Sequence, residues 1–365
     1  MPSLTQQPIY DPAKTYAENF TDGPFGEFAH PIPYRNAGTP AYSFLGHPVY
    51  SLFGIPAGPL LNAKYVSAAL AKGFDVVTYK TQRSIDFEVN AFPNILYVET
   101  QGDLTLEKAA QPLIGYESTT APYEELTITN SFGMPSSGPE FWVPDLKKAM
   151  AATSKGQLVI MSVVGTIQKG FSADDYYDDF AKVTGLAAAT GVAAIEVNLS
   201  CPNVANEGVL CYTPAAVEEI CRRAKAAAGL SRLLVKVGYY APEQQELLET
   251  VVKKMAPYID GIAAVNTIPA PIVNEAGEQA LPGPNRLKSG LCGAGIKWAG
   301  LDMTRRLAEL RTKLGLSYEI IGVGGVMTPD DYHEYIEAGA SLVQSATGAM
   351  WNPELAIDLK SSLKG

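Results

Sequence analysis

Short apolar runs alternate with longer amphipathic segments along most of the chain after Tyr50. A short apolar run bounded by turn residues predicts a buried strand, and apolar residues spaced three and four apart predict a helix. Strands are predicted at residues 51–55, 76–79, 158–163, 194–197, 233–237, 261–265, 319–322 and 342–344. Helices are predicted at residues 63–72, 173–189, 214–228, 242–255, 298–314, 329–338 and 353–363.

Eight strands that mostly alternate with helices predict an α/β protein built as a parallel (β/α)8 TIM barrel. An open doubly wound sheet is the alternative, but no GxGxxG sequence opens the first helix. Residues 81–155 replace one simple connection and are predicted to carry an inserted hairpin. Residues 1–45 are rich in Pro, Gly, Tyr and Asn without periodicity, which predicts an irregular N-terminal extension before a barrel domain at 46–365.

Composition narrows the classes of function. The hydrophobic fraction of 47% is typical of a well-cored globular protein, and the net charge of −10 argues against nucleic-acid binding. The chain has no run of 18 apolar residues, and its first 22 residues lack the basic and apolar pattern of a signal peptide. We therefore expect a cytoplasmic protein without a membrane span. The four cysteines form no CxxC pair, and with three histidines in the chain no metal site is expected.

Polar and glycine residues cluster where the predicted strands end. In a TIM barrel the carboxyl ends of the strands carry the chemistry. The residues at these ends are Ala57 and Gly58 after the first strand, Lys80 and Thr81 after the second, Asn198 and Cys201 after the fourth, Lys236 in the fifth, Asn266 and Thr267 after the sixth, Gly324 and Gly325 after the seventh, and Ala346 and Thr347 after the eighth.

Two of these groups suggest an anionic ligand. Gly324 and Gly325, with Ala346 and Thr347, would offer backbone N–H groups to a phosphate, although turn glycines are the plainer interpretation. This arrangement fits a monophosphate such as FMN. Lys80 and Lys236 follow apolar runs, so each needs an anionic partner, supplied either by reduced flavin at N1/O2 or by a structural ion pair.

The most informative stretch runs from Glu196 to Asn203. Asn198 and Asn203 flank Cys201 within six residues, just after a predicted strand. Two amides can bind a planar ligand rich in carbonyl and N–H groups, and a thiolate can move a proton. The combination indicates a small heterocycle bound over a redox cofactor.

With these residues in hand, the chain resembles the dihydroorotate dehydrogenase family over residues 50 to 363. The segment Asn198-Leu199-Ser200-Cys201-Pro202-Asn203 is similar to the class 1 catalytic segment, and Thr129-Asn130-Ser131-Phe132-Gly133-Met134-Pro135 to the family's substrate loop. Lys80-Thr81, Lys236, Asn266-Thr267, Gly293 and the Gly324-Gly325 pair fall at positions where that family binds substrate or FMN.

The resemblance implies a role for each of these residues. Asn130, Asn198, Asn203 and Asn266 would bind the pyrimidine and its carboxylate, assisted by Thr267 and by Gly133 and Met134 of the substrate loop. Lys80 would lie near both flavin and carboxylate, and Lys236 would stabilise reduced FMN. Cys201 would remove the C5 proton of dihydroorotate while C6 passes hydride to flavin N5, giving orotate.

A cysteine at 201 points to class 1, because membrane-associated class 2 enzymes have serine there and an amphipathic N-terminal helical pair. The resemblance favours class 1A, a homodimer that uses a soluble acceptor such as fumarate. A partner subunit carrying an iron–sulfur cluster stays open, as do dihydrouracil as the substrate and a catalytically retired FMN-binding scaffold. Residues 204–212 are predicted to form a lid over the substrate, with an ordinary surface loop as the alternative. Cys211 stays open as the proton-moving thiol, Cys221 is expected to be inert packing, and Cys292 a loop residue near the flavin phosphate.

Overall fold

A computed structural model describes residues 7–200 and 210–363 of the protein. Eight parallel strands close a barrel, as the sequence predicts. Pairing proceeds from each strand to the next and returns from the eighth to the first, where Val343 lies opposite Phe53. The barrel strands are Phe53–Ile55, Val76–Gln82, Leu158–Val163, Ala194–Asn198, Arg232–Lys236, Gly261–Ala264, Glu319–Val323 and Leu342–Gln344.

Helices surround the barrel. The predicted α-helices occur at Ala63–Ala71, Ala173–Ala188, Pro214–Ala227, Gln245–Met255, Lys297–Leu314, Pro329–Glu337 and Leu355–Ser362. The predicted start at residue 242 is a 3-10 turn, Pro242–Gln244, that leads into its helix. Further α-helices in the described residues are Tyr16–Asp22, which lies in the segment predicted to be irregular, and Leu106–Ala109, Gly138–Ala151 and Thr347–Trp351.

A small hairpin closes the amino-terminal end of the barrel. Its strands, Tyr42–Phe44 and His47–Val49, pair antiparallel. Phe44, Leu45 and Val49 pack in one apolar cluster with residues that begin the barrel strands, such as Leu158 and Ala194. This end of the barrel is therefore filled with apolar side chains, and the opposite end is left to carry a site.

A second sheet, here called the cap sheet, is built from two distant parts of the chain. Its strands are Tyr97–Val98, Leu113–Tyr116, Thr127–Asn130, Ile268–Val273 and Lys288–Gly293. The first three lie in the predicted insertion, and the last two follow the sixth barrel strand. Antiparallel pairing of Asn130 with Gly290 joins the two parts. The insertion thus carries an antiparallel strand pair, Tyr97–Val98 with Leu113–Tyr116, as predicted, and this pair belongs to a larger sheet.

The last helix is locked to the second barrel strand by a buried ion pair. Nζ of Lys360 lies 2.8 Å from Oδ1 of Asp75 and also donates to the carbonyl of Gly73 at 2.6 Å. Ser51 Oγ donates to the other oxygen of Asp75 at 2.6 Å. The side chains of Lys360 and Asp75 are 5% and 0% exposed.

Lys360→Met is expected to lower the free energy of unfolding by about 3 to 5 kcal/mol, because it leaves a buried carboxylate without its cation. Urea unfolding followed by circular dichroism measures this. The matched control is Lys313→Met, which breaks an ion pair with Glu249 whose lysine is 63% exposed and should cost less than about 1 kcal/mol. Equal losses in the two variants would contradict the assigned importance of the buried pair.

Candidate functional site

A cavity lies at the carboxyl ends of the barrel strands, between the barrel and the cap sheet. Its wall brings together most of the residues predicted from the sequence to form a site. These are Ala57, Gly58, Lys80, Asn130, Lys236, Asn266, Thr267, Gly293, Gly324, Gly325, Ala346 and Thr347.

Four predicted residues lie behind this wall or beside it. Thr81 is buried, and its hydroxyl is 3.0 Å from Ser162 Oγ. The amide of Asn198 donates to the sulfur of Met134 at 3.5 Å, which ties the fourth barrel strand to the predicted substrate loop. Oδ1 of Asn198 accepts from the backbone and hydroxyl of Ser200, so this amide is held in one orientation. Gly133 has a φ of 79° and faces the Asn90 side chain.

The central part of the predicted catalytic segment, Cys201 and Asn203, lies outside the described residues, as does most of the predicted lid. The last residues of the predicted lid form a short 3-10 helix, Leu210–Tyr212, in which Leu210 and Cys211 are buried. Burial raises the pKa of the Cys211 thiol to about 11, so it is a poor proton acceptor near neutral pH. Cys221 is packed in a helix, as expected. Cys292 was expected in a loop but belongs to a cap-sheet strand, with its side chain in the cavity wall.

Lys236 ends the fifth barrel strand and is 3% exposed. Burial lowers the pKa of its ammonium, opposed by the nearby charge of Glu196. Burial likewise raises the pKa of the Glu196 carboxyl, which accepts a hydrogen bond from Ser162 at 3.0 Å. Lys236 nevertheless makes no ion pair or hydrogen bond through Nζ with the part of the chain that the structure describes. Its charge is therefore partly compensated from within the barrel and faces the cavity.

Lys80 lies inside the second barrel strand and is 6% exposed. Its Nζ is 5.2 Å from the ring centre of Phe132 and 5.8 Å from that of Tyr16. Burial lowers the pKa of this ammonium to about 8, with no contribution from a carboxylate. A buried ammonium without an anion is unfavourable by itself, so this position is suited to an anionic ligand.

The loops after the seventh and eighth barrel strands form a cup that could hold an anion. The N–H groups of Gly324 and Gly325 donate to no carbonyl within the described ranges. Gly325 has a φ of 67°, and a Cβ there would lie 2.6 Å from the Lys297 backbone, so no larger residue fits. The hydroxyl of Thr347 is buried, and its polar neighbour is the Cys292 thiol, a weak hydrogen-bonding group that leaves the hydroxyl able to bind a ligand. Free donors at this cup fit an oxygen-rich group such as a phosphate.

Sequence reasoning missed the apolar half of the cavity wall. Tyr10, Ile128, Phe132 and Met350 all contribute to it. Phe132 stands inside the quoted substrate-loop segment and could have been named from it. Tyr10 belongs to a segment without periodicity, so nothing in the pattern of the sequence marked it.

Within residues 7–200 and 210–363, no group of three or more His, Cys, Asp or Glu side chains is placed to hold a metal ion. None of the helices there combines the length and apolar character needed to cross a membrane.

Comparisons with known proteins agree on one family. Residues 110–364 match the family model for dihydroorotate dehydrogenase. The chain is 34% identical over 361 residues to a dihydroorotate dehydrogenase of Dictyostelium discoideum, with 96% of each chain covered. It is 31% identical over 230 residues to dihydroorotate dehydrogenase A (fumarate) of Lactobacillus helveticus, covering 63% of this chain and 68% of the relative. It is 30% identical over 199 residues to the catalytic subunit of dihydroorotate dehydrogenase B (NAD(+)) of Trichlorobacter lovleyi, covering 53% and 60%.

The buried charge of Lys80, which has no anionic partner within the described residues, should lower the free energy of unfolding in a pH-dependent way. Because the folded pKa of about 8 is below the ordinary 10.5, the charged form is disfavoured by folding. The cost of the buried charge is fully present below pH 8, and the ligand-free protein should gain stability as the pH rises from 8 to 10.5. Lys80→Met should therefore raise the free energy of unfolding at pH 7 by about 1 to 3 kcal/mol in protein stripped of ligands.

Denaturant unfolding at several pH values tests this. Lys182→Met, at an exposed helical position, is the control and should change little. The proposed cost of burying Lys80 is wrong if Lys80→Met is no more stable than the parent at pH 7.

Proposed function

The chain belongs to the dihydroorotate dehydrogenase family, and on this premise we propose that it oxidises dihydroorotate to orotate with FMN as cofactor. The observation that carries the proposal is the pair of buried ammonium groups, Lys80 and Lys236, that face one cavity without forming an ion pair within the described residues. A pyrimidine carboxylate and a flavin phosphate ester are both anionic, and reduced flavin carries a further negative charge.

The residues present fit FMN. The buried Thr347 hydroxyl and the free N–H groups of Gly324 and Gly325 would hold the phosphate, with Ala346 beside them. Lys236 would lie at the flavin ring, with Ala57, Gly58 and Gly293 completing the wall. When bound, FMN would supply the acceptor for a hydride from C6 of the substrate.

The remaining chemistry falls to side chains of this protein. Oxidation of dihydroorotate removes a proton from C5 and a hydride from C6, and leaves a double bond between them. We assign the proton to Cys201, because the reference pKa of a cysteine thiol is about 8.5 and such a thiol needs only modest help to act as a base. Asn130, Asn198, Asn203 and Asn266 would orient the ring, with Thr267, Gly133 and Met134 nearby. Lys80 would pair with the substrate carboxylate.

Asn198 is prepared for such a role by its neighbours. Because Ser200 occupies its oxygen, the amide nitrogen is the group left to point toward the substrate loop. Asn266 is tied less firmly, through one bond of 3.3 Å from its Nδ2 to the carbonyl of Ser200. Both amides thus depend on Ser200, which directly precedes Cys201. A ligand that engages the two amides would also fix the start of the catalytic segment.

The electron acceptor and the assembly are finer parts of the proposal. Relatives named for fumarate and for NAD(+) both match this chain at similar identity. We propose a soluble acceptor such as fumarate and a cytoplasmic homodimer, following the resemblance to class 1A. A partner subunit with an iron–sulfur cluster is the alternative that an acceptor assay would reveal.

The test is anaerobic mixing of purified protein with L-dihydroorotate while the oxidised flavin band is monitored. We expect rapid bleaching, followed by recovery of the band when fumarate is added. Cys201→Ala should retain FMN, but its rate of flavin reduction by dihydroorotate should fall by about two to four orders of magnitude. Cys201→Ser should keep part of that rate.

The outcomes separate the parts of the proposal. If bound flavin is not bleached by dihydroorotate but is bleached by dihydrouracil, the substrate is dihydrouracil and not dihydroorotate. A protein without flavin would contradict FMN as the cofactor, and flavin that neither pyrimidine bleaches would support the catalytically retired FMN-binding scaffold. Normal flavin reduction by Cys201→Ala would remove Cys201 from the role of base and leave the substrate assignment intact.

A further inference from the structure

The N-terminal segment is docked firmly against the open end of the barrel. Asn19 is fully buried; its Oδ1 accepts from the Asp11 N–H at 2.8 Å, and its Nδ2 donates to the carbonyls of Asp11, Lys14 and Thr15. These bonds fold residues 9–22 into one compact unit, here called the N-terminal clamp. Thr15 and Glu18 form a capping box at the start of its helix, Tyr16–Asp22.

The clamp is fastened to the barrel at two places. Three consecutive carbonyls at the end of its helix, those of residues 19, 20 and 21, accept from Tyr65 Oη at 2.7 Å, Asn62 Nδ2 at 3.0 Å and Lys64 Nζ at 2.6 Å. Such terminal carbonyls need external partners, and a lysine there also complements the helix dipole. At the other end, the Ile9 N–H donates to the carbonyl of Met350 at 2.9 Å, and Met350 lines the cavity.

Between these anchors the clamp presents two aromatic rings to the site. Tyr10 is 3% exposed, lines the cavity and meets Phe132 edge to face, with ring centres 5.4 Å apart. Tyr16 meets the same ring at 6.0 Å. Phe132 and Tyr16 together cover the Lys80 ammonium. The clamp therefore contacts both Phe132 of the substrate loop and the ammonium of Lys80.

We propose that the N-terminal clamp completes the substrate end of the site, with Tyr10 and Tyr16 as positioning residues that hold Phe132 and shield Lys80 from water. This proposal rests on the proposed function only for the identity of the ligand. The loss of water around the ammonium outweighs its attraction to the faces of these rings, and the exclusion of water strengthens its attraction for a carboxylate. The clamp thereby directs the positive charge of Lys80 into the cavity.

The first experiment reports on Lys80 without any substrate. Lysines are labelled with a brief pulse of acetic anhydride from about pH 7 to about pH 11, and the extent at Lys80 is read by peptide mass spectrometry. Lys236, buried elsewhere in the wall, is the internal reference. Tyr10 and Tyr16 are the titratable groups that the clamp brings near Lys80, and burial raises the pKa of each further above its ordinary value, so both stay neutral over most of this range.

In the parent protein the labelling midpoint of Lys80 should lie near pH 8. In Tyr16→Ala it should move upward toward the ordinary 10.5, because water reaches the ammonium. Tyr16→Phe keeps the ring and should retain the parent midpoint. Phe25→Ala removes an aromatic ring just beyond the clamp, one that faces the ammonium of Lys14 at 5.6 Å, and should also retain it. Tyr16→Leu repeats the comparison with a smaller loss of packing if the alanine variant does not fold.

The second experiment titrates orotate into the FMN-loaded variants. Orotate affinity should fall about tenfold in Tyr16→Ala, the order expected when ring contacts of this kind are lost, with FMN retained. An unchanged Lys80 midpoint in both Tyr16→Ala and Tyr16→Leu overturns the proposal. A parent protein that does not bind orotate contradicts the proposed function instead, while the labelling midpoint still decides the role of the clamp.

Discussion

Two buried lysines that face one cavity impose the main constraint on this protein. A barrel whose strands are buried can carry an ammonium only where an anion, a carboxylate or an aromatic ring offsets the loss of water. Lys236 is offset in part by Glu196 from within the barrel, and Lys80 is covered by Phe132 and Tyr16. In both cases the compensation is incomplete, so the folded protein is arranged to bind negative charge at the mouth of the barrel.

The other layers of the structure follow from that requirement. The hairpin at residues 42–49 fills the amino-terminal end with apolar side chains, which leaves the carboxyl end for polar chemistry. The cap sheet covers that end with strands from two distant segments, and it contributes Asn130 and Gly293 to the cavity. The N-terminal clamp closes a further side. A pocket walled in this way keeps water from the lysines, and electrostatic attraction within it is stronger than at an open surface.

The sequence was sufficient for the barrel because buried parallel strands are short, continuous apolar runs separated by amphipathic helices. It was also sufficient for the two lysines, since a charge inside an apolar run stands out. The helix Gly138–Ala151 was not predicted from the sequence because Pro144 lies in its interior, where proline normally ends a helix. The cap sheet was not predicted because its strand pairing joins residues as far apart in the sequence as Asn130 and Gly290, and local patterns do not encode such contacts. Tyr10 had no periodic context, and the role of Cys201 comes from the family resemblance alone.

The most direct test of this account asks which ligand, FMN or orotate, each of the two lysines binds. Flavin fluorescence gives the FMN affinity of stripped protein, and orotate titration of the loaded protein gives the second affinity. Loss of a charge-assisted contact is worth about tenfold to a hundredfold in affinity. The account predicts that Lys236→Met weakens FMN binding by this amount, and that Lys80→Met weakens orotate binding by this amount with a smaller effect on FMN. If both variants bind FMN and orotate as the parent does, the cavity does not use its buried charges to hold these ligands and the account is contradicted.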